Sequence, residues 1–203
     1  DGADRSLRAQ LRFQAGLARL ADRGIRCLVA HGNHDSLDGW SSALQWPEQV
    51  HVFGPEPTTV RLLQDGAAVA AVCGISYAHR RVTEPLADRL QPADSDLFQI
   101  ALLHANCGGN PDHEAYAPCS LDGLVSAGFD YWALGHVHER GVLHEYPHVV
   151  YPGNTQGRHI RESGPRGCYL VQVGPRRRLE VEFCALDSVR WAVPRVSIEG
   201  LET

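Results

Sequence analysis

Three short apolar runs in this chain each lead into a histidine-bearing loop. Runs of this length that stop at glycine or polar residues are typical of buried strands. The runs and the residues that follow them are 25–30 with Gly32-Asn33-His34-Asp35, 98–103 with His104, and 131–134 with Gly135-His136-Val137-His138. Because ligands of open α/β sheets collect at the loops after the carboxyl ends of strands, we expect these side chains to meet. The pattern predicts an α/β chain with one metal site assembled from three loops.

The rest of the pattern fits a single α/β domain. A helix is predicted at residues 3–23, where leucines recur at helical spacing and Gly24 stands in the position of a terminating glycine. Further strands and shorter helices are predicted where the apolar spacing changes. The strands are 50–53, 58–63, 67–73, 168–173 and 179–183, and the helices are 41–46, 83–90 and 119–127. A chain of 203 residues is long enough to bury one sizeable core.

Composition excludes some classes of function. The formal net charge of −5 argues against a general polyanion binder, so any nucleic-acid affinity must be local or assisted by metal. No run approaches the roughly 18 apolar residues that a membrane helix requires. The six cysteines show no C-x-x-C pair, which favours a reducing compartment over a disulfide framework. We therefore expect a cytoplasmic protein that does not bind membranes.

The residue types at the strand ends favour a divalent ion. Neutral imidazole and amide oxygen suit Mn, Fe or Zn, and cysteine, the usual ligand of structural zinc sites, is missing from these ends. His136 and His138 are two residues apart, so on extended backbone both rings face the same side. They can serve one ion or two adjacent ions. Two ions about 3.5–4 Å apart are a recurring device for the hydrolysis of phosphate esters.

Each histidine alone is more simply explained as a hydrogen-bonded structural residue. Four of them at strand ends, accompanied by Asn33, favour the metal interpretation instead. Among the other histidines, His31 and His113 are close enough in sequence to the motifs to support the ligands, and no larger role is assigned to them.

The ordered motifs resemble the third, fourth and fifth motifs of the calcineurin-like metallophosphoesterases. The tail and the flanking residues resemble more closely the SbcD-like DNA repair exonucleases, in their YhaO branch. The matching segments are 103–109, 116–118, 131–140 and 151–159. The resemblance spans nearly the whole chain. It implies a four-layer αββα sandwich and a metal-dependent DNA exonuclease that hydrolyses phosphodiester bonds with a metal-activated water.

The resemblance also implies a role for each matching residue. It assigns metal binding to Asn33, His104 and His136 at the second ion, and to His138 at the first. His34 would contact the scissile phosphate as an acid or charge stabiliser, and Asp35 would orient its ring. The cofactors implied are two divalent ions, with manganese expected first and iron, zinc or magnesium as alternatives.

The chain departs from the family at its start. The motifs Asp-x-His and Gly-Asp-x-x-(Asp/Asn) would precede the first helix and are absent, and the first strand of the sheet would be absent with them. The chain also has no methionine. We interpret it as an N-terminally truncated piece of a longer enzyme, with a nuclease domain at 1–184 and an exit segment at 185–203 toward a capping domain. On its own it should hold at most one weakly bound ion and show little or no activity.

The arginine-rich tail bears on the choice of substrate. The resemblance of the tail favours DNA, and we assign Arg158 to the DNA backbone because guanidinium matches phosphate in a bidentate way. The Arg176-Arg177-Arg178 turn is assigned to solvent. Partners expected by analogy are an ATPase subunit of the long coiled-coil kind and a second copy of the chain. Two alternatives stay open: a phosphatase or phosphodiesterase acting on a small molecule or phosphoprotein, and an inactive binding module.

Overall fold

The computed structural model describes residues 6–39, 44–93, 96–109, 116–197 and 199. The α-helices in this part of the chain are α1 Leu7–Ala21 and α2 Leu121–Ser126. The strands are β1 Cys27–Val29, β2 Val50–Val52, β3 Thr58–Gln64, β4 Ala67–Gly74, β5 Phe98–His104, β6 Tyr131–Gly135, β7 Gly141–Glu145, β8 His148–Tyr151, β9 Gly167–Val173 and β10 Leu179–Ala185. No described helix is long and apolar enough to cross a membrane. The expected mixed α/β architecture is confirmed.

The largest sheet has six strands in the order β3-β4-β5-β6-β8-β7. Its four middle strands run parallel, and the two outer ones pair antiparallel to their neighbours. Parallel strands are covered on both faces, which explains why their sequences are apolar almost throughout. In the register between β5 and β6, His104 stands opposite Gly135. The sheet therefore delivers His104 and the loop that begins at His136 to the same edge.

Two smaller sheets complete the described fold. β1 pairs in parallel with β2, so the strand before Gly32-Asn33-His34-Asp35 belongs to a different sheet from the other two histidine-bearing strands. β9 and β10 form an antiparallel hairpin in register from Gly167↔Ala185 to Val173↔Leu179. Main-chain hydrogen bonds join the loop after β1 to the segment that follows β4, among them the bond from Tyr77 N to His31 O at 3.0 Å.

Both faces of the large sheet are packed. On one face a core that includes Trp132, Leu124 and Leu86 joins the sheet to α2 and to the short 3-10 turn Leu86–Arg89. On the other face Tyr131 and its neighbours pack against side chains of the β9–β10 hairpin. The layers place the edge that carries His104 between two apolar cores. Burial at that edge disfavours the protonated, charged form of any imidazole that lies there.

Some sequence predictions differ from the structure. The helix predicted at 83–90 is only the 3-10 turn Leu86–Arg89, because Pro85 disfavours helical backbone at Glu84 and Leu90 is extended with ψ 134°. The helix predicted at 41–46 begins in residues outside the described part of the chain. β7 and β8 are not among the predicted strands; β7 is a short and largely exposed outer strand with no strong apolar run, and β8 has only four residues. The predicted strands are confirmed to within two residues at each end.

Trp132 is a test of how much the core contributes to stability. It is fully buried, stacks edge-on with Phe129, and donates its Nε1–H to Leu124 O at 3.0 Å. Trp132→Phe removes the donor and part of the volume, so we expect the free energy of unfolding to fall by about 1–3 kcal/mol. Urea denaturation measures this. Trp191→Phe is the matched control, because the Trp191 indole is 38% exposed, and its loss of unfolding free energy should stay below about 1 kcal/mol. Equal losses in the two variants would contradict the assignment of Trp132 to the core.

Candidate metal centre

The centre of the site is the contact between the end of β5 and two neighbouring loops. His104 Nε2 lies 2.9 Å from Asn33 Oδ1 and 3.2 Å from His136 Nδ1. Asn33 arrives on the loop after β1, and His136 is the first residue after β6. The structure thus brings together three of the four side chains that the sequence assigned to metal ions.

Two aromatic rings and a glycine fix the position of His104. The Tyr77 ring packs edge-on against the imidazole with centroids 5.3 Å apart, and the His136 ring does the same at 5.1 Å. On a further side lies Gly32, where an added Cβ would stand 2.5 Å from three ring atoms of His104. Only glycine leaves room at position 32 for the imidazole, so this residue of the motif has a packing role.

The backbone at His136 corrects one sequence argument. The spacing predicts that His136 and His138 lie on the same side of extended backbone, but His136 has φ 135° and β6 already ends at Gly135. A positive φ is rare for a residue with a side chain and is held in place only by its surroundings. The ring of His136 packs between those of His104 and Tyr116. The backbone turn at His136 therefore determines the positions of the His136 and His138 rings.

His138 is held by a carboxylate that sequence reasoning missed. Its Nδ1 lies 2.7 Å from Glu162 Oε1, and Glu162 is buried at 8% exposure. The other oxygen of Glu162 accepts from Asn154 Nδ2 at 3.1 Å and from the Arg158 amide at 2.7 Å. Burial raises the pKa of Glu162, but these hydrogen bonds and His138 outweigh it and bring the pKa down to about 2. The carboxylate is ionised near neutral pH.

Asp35 contacts a different histidine from the one assigned to it. The sequence assigned Asp35 to orient the ring of His34, whereas in the structure its Oδ2 lies 2.9 Å from Nδ1 of the fully buried His31. Its Oδ1 accepts from the Gly32 amide at 2.8 Å. Burial acts to raise the pKa of Asp35, yet these contacts lower it below its usual value. Asp35 thus ties the loop that carries Asn33. The sequence signal was a histidine four residues before the aspartate.

The electrostatics of His104 suit a metal donor. Burial, followed by the neighbouring His136 ring, lowers the pKa of His104 to about 3; His34 and His138 add to the effect and Asp35 opposes it. His34 and His138 therefore lie within electrostatic range of the same ring. His104 is neutral at physiological pH, and a neutral imidazole is the form that coordinates metals. His113 lies outside the described residues.

The donor chemistry at His104 fits a divalent ion. Two imidazole nitrogens and an amide oxygen, with neighbours 2.9 and 3.2 Å apart, have the spacing of donors that share an ion at roughly 2.0–2.2 Å. In the described part of the chain, no three His, Cys, Asp or Glu side chains are grouped so as to hold an ion. The donors in place are two imidazoles and one amide, and Asn33, His104 and His136 are the residues that would hold the metal.

Comparisons with known proteins agree with this chemistry. The chain is 41% identical over 200 residues to the "Uncharacterized metallophosphoesterase YhaO" of Bacillus subtilis (strain 168). This similarity supports assigning the chain to the metallophosphoesterase superfamily. The match covers 98% of this chain and 49% of the relative, so the chain spans about half the length of the curated protein that it matches. No family model matches the chain. Metallophosphoesterases generally use divalent metals, and the mixed α/β fold with its central six-stranded sheet is consistent with such a protein.

Proposed function

We propose that this chain carries part of the active site of a metal-dependent phosphodiesterase, and that the substrate is DNA. The observation that carries the proposal is the meeting of Asn33, His104 and His136 around one point, from a strand end and two loops that lie far apart in sequence. The name of the homologous protein supports phosphoester chemistry. The resemblance of residues 103–109 and 151–159 to DNA repair exonucleases supports DNA as the substrate.

The architecture of the whole enzyme is part of the same proposal. We infer a four-layer αββα sandwich over residues 1–184, with 185–203 leading out of it. Three features support this: the large sheet is packed on both faces, the β9–β10 hairpin covers one face, and α1 lies next to β1. Residues 186–191 contact the loop at 156–166, for example through the hydrogen bond from Trp191 Nε1 to Gly157 O at 3.2 Å.

The residues of this chain divide the work of hydrolysis between them. A bound divalent ion would polarise the phosphoryl oxygens and lower the pKa of a water molecule to about 7. Asn33 supplies an amide oxygen toward the ion, and His104 supplies a ring nitrogen of an imidazole that is neutral at physiological pH. His34 contacts the scissile phosphate and donates a proton to the leaving oxygen. The Asp35–His31 pair holds the loop that carries Asn33 and His34, so the donors are in place before the substrate binds.

Arg158 supports a nucleic-acid substrate through its position. Its side chain is exposed, while its amide donates to the Glu162 carboxylate that contacts His138. A guanidinium on this loop is well placed for a phosphate that extends beyond the scissile bond. By contrast, Arg177 does not simply face solvent as the sequence suggested: its guanidinium lies 3.0 Å from both oxygens of Asp130. Of the arginines in the tail, Arg158 remains the candidate for a DNA contact.

Arg158→Ala should weaken DNA binding without changing its sequence preference. Removing one phosphate contact is expected to lower the affinity several-fold at moderate salt and to reduce the slope of log K against log[salt] by about 1. Fluorescence anisotropy with a labelled duplex at several salt concentrations measures both quantities. Arg178→Ala, at an exposed position of the β9–β10 hairpin, is the matched control. Identical affinity and slope in Arg158→Ala and the wild-type protein would remove Arg158 from the interface.

The substrate class is tested by comparing two phosphodiesters. The intact protein is assayed with Mn²⁺ on linear duplex DNA and on bis(p-nitrophenyl) phosphate. The proposal predicts that DNA is cleaved with the higher kcat/KM, and that a chelator stops both reactions. Cleavage of the aryl diester alone would indicate an enzyme for small substrates or phosphoproteins. Binding of DNA without cleavage of either substrate would indicate an inactive binding module.

A further inference from the structure

A closed circuit of hydrogen bonds holds His138 by its ring and by its main chain. The ring contacts Glu162 Oε1, and Glu162 Oε2 accepts from Asn154 Nδ2. Asn154 Oδ1 in turn accepts from the Arg166 guanidinium at 3.2 Å. Arg166 closes the circuit by donating to His138 O. The loop at 153–166 therefore fixes both the backbone and the ring orientation of this one histidine.

The loop at 153–166 packs so closely against His138 that two of its positions have room only for glycine. Gly153 has φ +76°, and an added Cβ there would lie 2.8 Å from His138 O and 3.0 Å from Arg140 N. Gly157 lies against the main chain of Glu162, where a Cβ would stand 2.6 Å from the Glu162 carbonyl oxygen. Gly153 thus allows the loop to approach the main chain at His138 and Arg140, and Gly157 allows the turn that brings the Glu162 carboxylate to the His138 ring.

The contact determines which ring nitrogen carries the proton. A buried carboxylate is costly unless its oxygens accept hydrogen bonds, and Glu162 accepts from the Arg158 amide, from Asn154 and from His138. An ionised carboxylate only accepts, so the hydrogen in the 2.7 Å contact belongs to His138 Nδ1. His159 Nε2 lies farther from Glu162 Oε1, at 3.9 Å. In the neutral ring of His138, Nε2 is then the nitrogen with the lone pair.

We propose that Glu162 is a positioning residue that holds His138 in the Nδ1–H tautomer and presents its Nε2 to the metal centre beside His104. The inference rests on the proposed function only for the presence of a metal ion, because the tautomer is a property of the protein alone. A ligand histidine commonly donates its second ring N–H to a carboxylate, which fixes its orientation and makes it a stronger donor. Here the carboxylate comes from a loop 24 residues further along the chain.

The tautomer test uses metal-free protein. Long-range ¹H–¹⁵N NMR spectra distinguish the two tautomers of neutral His138, and we expect the wild-type protein to show Nδ1–H. Glu162→Ala should give a mixture of tautomers. Glu162→Gln keeps an acceptor oxygen for the ring and should retain most of the Nδ1–H form. The matched control Glu180→Gln, at an exposed carboxylate of β10, should leave the spectrum of His138 unchanged. A wild-type His138 in the Nε2–H form would overturn the proposal, whether or not the variants fold.

Metal affinity provides the second measurement. Titration with Mn²⁺, followed by the loss of the free-ion EPR signal, should show a dissociation constant about 10–100-fold higher in Glu162→Ala and a smaller rise in Glu162→Gln. Equal affinities in Glu162→Ala and the wild-type protein, together with an unchanged tautomer, would reduce Glu162 to a purely structural group. If the wild-type protein binds no Mn²⁺, the proposed function fails, and the tautomer result alone then decides the role of Glu162.

Discussion

Replacement of His104 by alanine is expected to abolish the proposed metal-dependent hydrolysis of phosphodiesters by the intact protein. Asn33 and His136 both contact His104 Nε2, so removal of the imidazole takes away the central one of the three proposed metal donors. Loss of a residue that only supports a ligand already costs 10–100-fold in metal affinity or activity, so loss of a ligand should exceed about 100-fold. Initial rates with Mn²⁺ and linear DNA, at saturating metal, measure the effect.

Folding must be separated from chemistry in this experiment. His144 lies on β7 and its Nδ1 contacts Pro147 O at 2.8 Å, well outside the proposed donor set. His144→Ala should therefore keep its rate within a few-fold of the wild-type protein. Circular dichroism establishes that His104→Ala is folded. A folded His104→Ala variant that hydrolyses DNA at an undiminished rate would show that the ion, if one is bound, lies elsewhere.

Gly32→Ala is expected to damage the site without removing any polar atom. The new methyl group would lie 2.5 Å from the His104 ring, which Tyr77 confines from another direction. Either the ring or the loop must move, and such overpacking costs about 1–3 kcal/mol of stability. Displacement of His104 from Asn33 should also weaken Mn²⁺ binding by at least about 10-fold, the scale seen when support for a ligand is lost. Calorimetric titration and thermal denaturation measure the two effects.

Gly16→Ala is the matched control for the same change at another glycine. Gly16 lies inside α1, and beyond its chain neighbours and the helix's own backbone nothing lies within 4 Å of an added Cβ. Alanine at an open helix position should stabilise the protein by about 0.5–1 kcal/mol, because glycine loses more backbone entropy on folding. The two substitutions should thus have opposite signs. Equal and small effects would mean that position 32 does not constrain His104.

The strands could be predicted because each depends on a local signal. The apolar runs before His104 and Gly135 are buried on both faces, and such runs are visible without knowledge of the fold. The assignment of strands to sheets was less accessible. β1 looks like β5 and β6 in sequence, yet it pairs with β2 in a separate sheet, because the choice of partner depends on long-range packing. β7 offers only a short, exposed run beside β8.

In the site, residue types predicted which side chains would meet, but not what holds them. The meeting of His104 and His136 follows from the parallel strands β5 and β6, which end at one edge, whereas Asn33 comes from β1 in a separate sheet. The residues around His136 in the sequence do not indicate its positive φ, because the packing around the folded residue imposes that backbone conformation. The carboxylate of Glu162 reaches His138 only through the folding of a glycine-rich loop, and nothing in the spacing of these two residues indicates a contact. The roles assigned to His34 and Arg158 stay predictions.

The most direct test of the account is whether Asn33, His104 and His136 bind one ion. Titration with Zn²⁺, a diamagnetic substitute, can be followed through the ¹⁵N shifts of His104 Nε2 and His136 Nδ1. Both nitrogens should shift together and saturate at the same concentration of metal. Shifts that stay constant at both rings, in a protein that still hydrolyses phosphodiesters with metal present, would contradict it.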